Sequence, residues 1–220
     1  MGCAILGPVN WSLLGGFALA VAVGAMVPGP TTALVIRRSA LGGARKTLPV
    51  VAGMEIGLYA WAVATAFGLS ALVAASRLAY TVLRIAGAVV LLTLGVLAWL
   101  AARKITEDGA FDPSQAPTLS GRWWQQSLTG LVTNIANPKI AVFAFAFYPP
   151  FIPAGANVLA TTLLLGLVQA GVDAAWFLLV AVFVGRARTF FGRAKIRRRL
   201  ERTTGTVLIA LGAGLALENI

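Results

Sequence analysis

The 220-residue chain has no histidine and a single cysteine, Cys3. These absences exclude a His/Cys metal cluster, a catalytic histidine and an intrachain disulfide. Acids are scarce as well, with seven Asp and Glu against eighteen Lys and Arg, a net charge of +11. Charged residues make up 11% of the chain, whereas a soluble domain carries about 25%. Met1–Trp11 shows neither a basic n-region nor a small-residue cleavage site, so no removable leader is expected. Leu6 stands where a myristoylation signal wants Ser or Thr. Ser39, Ser70 and Ser127 have no evident Lys or His partner, so an enzyme is not expected, nor is a cofactor.

What fills the chain is apolar: 59% of residues are hydrophobic and the mean hydropathy is +0.86. The reading is an all-α polytopic membrane protein whose first partner is the lipid bilayer. In a soluble protein the positive charge would suggest nucleic acid. Here the basic residues lie between apolar runs and report topology.

Six spans are expected, at about Leu13–Ile36, Val50–Ala75, Leu83–Ala102, Trp124–Phe147, Val158–Gly185 and Thr206–Leu217. The first five reach the ~20 residues that a ~30 Å hydrocarbon core requires. The sixth is short, and either extends back through Thr203 and Gly205 or thins the local lipid. Arg37, Arg38, Arg45 and Lys46 follow the first span. Arg103, Lys104 and Arg122 follow the third. Arg186, Arg188, Arg193, Lys195, Arg197, Arg198, Arg199 and Arg202 follow the fifth. These are fifteen of the eighteen basic residues, all in alternate connections. The excess of positive charge in cytoplasmic loops then puts both termini on the non-cytoplasmic side. Trp11, Trp123, Trp124 and Tyr148 fall at span ends and read as an interfacial belt. Glu107, Asp108, Asp112, Glu201 and Glu218 read as loop or terminal acids.

Two spans are interrupted. Val27-Pro28-Gly29-Pro30 breaks the first, and Asn134-Ile-Ala-Asn137-Pro138-Lys139 breaks the fourth. Proline removes a backbone donor and clashes with the preceding turn. Asn before Pro suits a helix start, with Pro at the first helical position. Each span therefore reads as two half-helices. Three matches run in the same order through the two halves: Pro30-Thr-Thr-Ala33 with Pro138-Lys-Ile-Ala141, Glu55-Ile-Gly57 with Gln169-Ala-Gly171, and Arg84-Ile-Ala-Gly87 with Arg202-Thr-Thr-Gly205. Repeat one covers about 11–102, a cytoplasmic linker about 103–122, and repeat two about 123–220. Three spans per half give the repeats inverted topologies. Inverted repeats with paired helix breaks are a transporter signature, with the site near the midplane.

At these residues the chain resembles the lysine-exporter (LysE-type) family of amino-acid efflux proteins, which includes homoserine/threonine exporters. Pro28-Gly29-Pro30 and Gly130-x3-Asn134-x2-Asn137-Pro138-Lys139 are similar to its two motifs. Gly53-x3-Gly57 and Asp173-x2-Trp176-Phe177 are similar too. Thr31 departs from the Asn or Asp the family often has after Pro-Gly-Pro, and Pro149-Pro150-Phe151 departs from its Pro-Gln-Phe. The resemblance implies an inner-membrane exporter of amino acids, driven by proton antiport. A homo-oligomer is compatible with it.

The candidate substrate site comprises Pro28, Gly29, Pro30, Thr31, Thr32, Asn134, Asn137, Pro138 and Lys139. An amino-acid carboxylate suits the positive end of a half-helix, and the chain restarts twice, after Pro30 and at Pro138. In the competing reading both prolines only kink helices. Apart from Arg84 at a helix entry, Lys139 is the sole basic residue inside a span, where an unpaired ammonium costs about 3 kcal/mol. It either meets a carboxylate cargo or pairs with an acid. Glu55 and Asp173 are the only acids deep in spans. They are candidates for proton or ammonium coupling, with a structural hydrogen-bonding role as the alternative. A divalent-cation exporter on a related fold is the competing function, although it would want more in-span acids, Cys or His.

Overall fold

A computed structural model describes residues 11–106, 114, 121–153 and 155–217. Among them every regular element is helical: α1 (Trp11–Ala25), α2 (Pro30–Gly42), α3 (Ala44–Ala75), α4 (Arg77–Lys104), α5 (Trp123–Ile135), α6 (Pro138–Phe147), α7 (Val158–Val182), α8 (Val184–Gly192) and α9 (Ala194–Leu217), with one 3-10 turn at Pro149–Phe151. Most of the expected linker lies outside the described residues.

Residues 44–75, 85–104 and 158–182 are each long and apolar enough to cross a membrane. Leu13–Ala25 and Pro30–Gly42 pass together as a pair bent by 66°. The first expected span is thus two helices, as the prolines require. The expected fourth span is likewise divided, into α5 and α6 of 13 and 10 residues. The expected sixth span is the apolar end of α9, whose 24 residues reach back to Ala194.

The basic connections are more helical than expected. Arg37 and Arg38 belong to α2, and Arg45 and Lys46 open α3. A single residue, Gly43, separates the two helices. It has φ +80°, which only glycine adopts without strain, and its N–H donates to Ser39 O at 2.8 Å. The stretch from Thr189 to Thr203, read as a loop, forms the end of α8 and the start of α9. Arg197 and Arg198 there donate to the carbonyls of Thr106 and Ile105, at 3.4 and 2.8 Å. Cationic side chains thereby reach carbonyls just past the end of α4, where the helix dipole favours them.

Glycines set the helix crossings. A Cβ at Gly53 of α3 would strike Ser127 O of α5, and one at Gly130 of α5 would strike Val50 O of α3. Backbone meets backbone there because neither position has a side chain. A Cβ at Gly57 would lie 3.1 Å from Asn134 Cβ. The α4–α9 crossing is built the same way, since a Cβ at Gly95 would meet Gly205 O at 2.7 Å and one at Gly212 would meet Ala88 O at 2.9 Å. Gly95, Gly205 and Gly212 thus let α4 and α9 approach closely. In all, α3 packs on α5 and α6, α7 packs on α1 and α2, and the pairs α3–α7 and α4–α9 close the bundle.

Three apolar clusters form among the described residues, the smallest around Leu91, Ala146 and Leu208. Of the larger two, one joins Leu34–Ile36 of α2 to Met54, Phe177 and Phe191. The other gathers Phe17, Ala62, Phe147, Tyr148, Phe151 and Leu165.

Candidate functional site

The local backbone at each break follows from its prolines. Gly29 is extended (φ −143°, ψ −168°) and Pro30 opens α2. Ala33 N–H donates to Gly29 O at 2.9 Å. The N–H groups of Thr31 and Thr32, in the first turn, have no intrahelical acceptor. At the second break Asn137 N–H donates to Asn134 O at 3.1 Å, and Ile140 N–H donates to Asn137 O at 3.0 Å. The fourth span therefore stops and restarts at Asn137-Pro138.

A cavity of about 340 Å³ touches all three apolar clusters, taking Phe177, Val21 and Leu208 from them in turn. Gly29, Pro30, Thr31 and Thr32 line it from the first break, and Asn134 and Asn137 from the second. Asp173 lines it from α7. Seven of the residues singled out from the sequence thus share one space. Asn134 is 3% exposed, and its Oδ1 is buried with no hydrogen-bond partner. A buried acceptor left unpaired costs about 1–3 kcal/mol, so this oxygen calls for a donor from the cavity.

Pro28, Pro138, Lys139 and Glu55 are not among the described lining residues. Pro138 and Lys139 form the first turn of α6, and their side chains lie outside the described residues. Glu55 is half-buried on α3, and its Oε2 has no partner. Its carboxyl and that of Asp173 are close enough for their charges to interact.

Three polar lining residues escaped the sequence reading. Gln169 lies one helical turn before Asp173 and hydrogen-bonds to it. The i, i+4 spacing on one face of α7 is the signal that could have found it. Glu201 and Thr204 line the cavity from α9. Reading the basic run as a loop hid them, and the correction for Glu201 is that it sits on a helix wall. The Thr204 hydroxyl donates to Val23 O of α1 at 3.3 Å.

Tyr148 needs a second correction. Trp123 and Trp124 are exposed, as an interfacial belt requires, but Tyr148 is 1% exposed. The Pro149–Phe151 turn folds the chain back into the bundle. Phe17 then meets Phe147, Tyr148 and Phe151 at centroid separations of 5.2, 6.0 and 5.0 Å. The Tyr148 hydroxyl donates to Gln169 Oε1 at 2.9 Å. This aromatic plug adjoins the cavity through Gln169, which lines it. The lining also includes Ala101 and Glu201, within a turn of Lys104 and Arg197–Arg199.

Residues 22–219 match the family described as LysE type translocator. The chain is 32% identical over 176 residues to a homoserine/homoserine lactone efflux protein of Salmonella typhimurium, covering 79% of this chain and 81% of that one. It is 25% identical over 199 residues to a threonine efflux protein of Escherichia coli K12, covering 90% and 94%. It is 27% identical over 197 residues to the uncharacterized membrane protein YrhP of Bacillus subtilis, covering 88% and 93%. No solved structure matches.

Proposed function

The chain belongs to the LysE type translocator family, and from that membership we propose that it exports amino acids or closely related zwitterions across the cytoplasmic membrane. One observation carries the reading: both proline breaks and Asp173 line a single cavity. The cargo carboxylate sits at the start of α2, on the N–H groups of Thr31 and Thr32 and the positive end of the helix. The second break adds Asn137, Pro138 and Lys139. The ammonium lies between Asn134 Oδ1 and Asp173, which supply an orphaned acceptor and a carboxylate. The names of the homoserine and threonine efflux relatives support a cargo of this kind.

The chain crosses the membrane six times as two inverted three-span repeats. Support comes from the exchanged packing, with α3 against the α5–α6 pair and α7 against the α1–α2 pair. The basic ends face the cytoplasm and both termini face away from it. In this arrangement the cavity opens toward the cytoplasm and the Phe17–Tyr148 plug closes the other side. Alternating access then loosens the plug while closing the basic end. Glu55 and Asp173 carry the coupling protons, because two neighbouring carboxyls resist holding two charges at once. The competing divalent-cation reading has little to stand on. Among the described residues no group of three His, Cys, Asp or Glu could hold a metal ion.

Efflux of labelled amino acids from loaded proteoliposomes, with and without an uncoupler, tests the reading. Uncoupler-sensitive efflux of at least one amino acid is expected. Cation efflux with no amino-acid efflux would overturn it.

A further inference from the structure

We infer that the cargo is a neutral amino acid whose apolar side chain is larger than that of threonine and lies against the α4–α9 wall. This rests on the exporter reading above and adds the substrate class.

Most polar groups of the cavity come from one side, with Glu201 and Thr204 of α9 the exceptions. Thr31, Thr32, Asn134, Asn137, Gln169 and Asp173 come from the breaks and α7, and α2 packs on both α5 and α7. Together they are enough for the two charged groups common to all amino acids. The α4 face of the cavity is wholly apolar among the described residues, with Leu94, Leu97, Ala98 and Ala101, and Leu208 of α9 continues it. Thr204 already spends its hydroxyl on Val23 O. Glu201, near the basic end, already has a partner within the protein and stands within a turn of Arg197 and Arg198, so basic side chains of the chain itself offset its charge.

A threonine or homoserine hydroxyl against this wall would lose its water and gain no partner. Burying a polar group unpaired costs about 1–3 kcal/mol. An apolar pocket of this kind discriminates by about 10–200-fold per methylene, and against a hydroxyl-bearing isostere by about 100-fold. The volume agrees. At about 340 Å³ the cavity is near the lower end of the ~300–1,000 Å³ range of ligand pockets, and the smallest amino acids would leave its aliphatic side unfilled. The preference would set this chain apart from the relatives named for homoserine and threonine.

The test is counterflow in proteoliposomes holding the purified full chain. Labelled leucine, methionine, threonine, homoserine and lysine are compared. Leucine and methionine should exceed threonine and homoserine by at least tenfold. Two substitutions probe the cavity. A Cβ at Gly24 of α1, which lines the cavity, meets no atom within 4 Å, so Gly24→Val should fold and reduce leucine counterflow at least fivefold relative to the unsubstituted protein. Leu94→Gln should raise the threonine-to-leucine ratio about tenfold. If threonine, homoserine or lysine is carried best, the inference fails and the exporter reading stands. If no amino acid is carried, the reading beneath it fails as well.

Discussion

The Tyr148 hydroxyl donates to Gln169 Oε1 at 2.9 Å, and the same Gln169 side chain hydrogen-bonds to Asp173. One amide therefore links the cavity acid to the aromatic plug. A change in what Asp173 holds, whether a proton or an ammonium, alters the bond that Gln169 makes to it. Gln169 cannot re-pair without disturbing Tyr148.

Tyr148→Phe keeps the ring and removes the link. It leaves Gln169 Oε1 buried and unpaired, at a cost of about 1–3 kcal/mol, which is about tenfold per 1.4 kcal/mol in a two-state population. We expect the plug to open more often. With Cys3→Ser as background, thiol labelling of Ile152→Cys beside the plug should speed up about tenfold. An unchanged rate would mean that Tyr148 does not hold the plug shut.

Asp173→Asn and Glu55→Gln should both insert normally, since each removes a charge from the membrane. Asp173 lines the cavity, so its amide variant should lose both net efflux and counterflow by more than tenfold. Glu55 is beside the cavity, so Glu55→Gln should lose uphill efflux and keep counterflow. Wild-type uphill efflux by both variants would remove the proton-carrying role.

Gly53→Ala should be the most damaging of the small substitutions. Its Cβ has nowhere to go but into Ser127 O, and overpacking of this kind costs about 1–3 kcal/mol. Gly171→Ala, whose Cβ meets nothing within 4 Å, should be neutral or stabilising by up to about 1 kcal/mol through helix propensity. Melting curves of the two proteins in detergent compare them directly.

Arg38 donates from Nε and Nη2 to Gln126 Oε1, at 3.0 and 2.7 Å, and Gln126 Nε2 donates to Gly121 O at 2.9 Å. The cluster ties α2 to the start of α5. Bonds to a charged group are worth about 1.5–3 kcal/mol, so Gln126→Leu should lower the melting temperature by several degrees. An unaltered melting curve would show that solvent replaces the tie at no cost.

The two breaks were legible in the sequence because proline and glycine constrain the backbone whatever surrounds them. Asp173 was legible because an acid in an apolar span is conspicuous. The α4 wall was not. Leu94 lines a cavity and Leu100 is exposed on the bundle surface, yet an apolar face turned to lipid and one turned to a cavity have the same composition. Glu201 and Thr204 were hidden by charge. The run from Arg193 to Arg202 reads as a solvated loop, but arginines that cap the carbonyls past α4 let the helix begin at Ala194. Tyr148 was misread because position at a span end does not reveal that the Pro149–Phe151 turn folds inward.

The reciprocal contact of Gly53 and Gly130 makes the segment before residue 106 and the segment after residue 121 interdependent. Each supplies a helix surface that only the other can cover: α3 needs α5, and α4 needs α9. Neither has an interior of its own. Two separate polypeptides, divided between residues 106 and 121, should therefore complement each other when made in the same cell, and each should be degraded when made alone. Grafting one segment from a distant relative would work only where the glycine positions on both sides of the crossing stay in register.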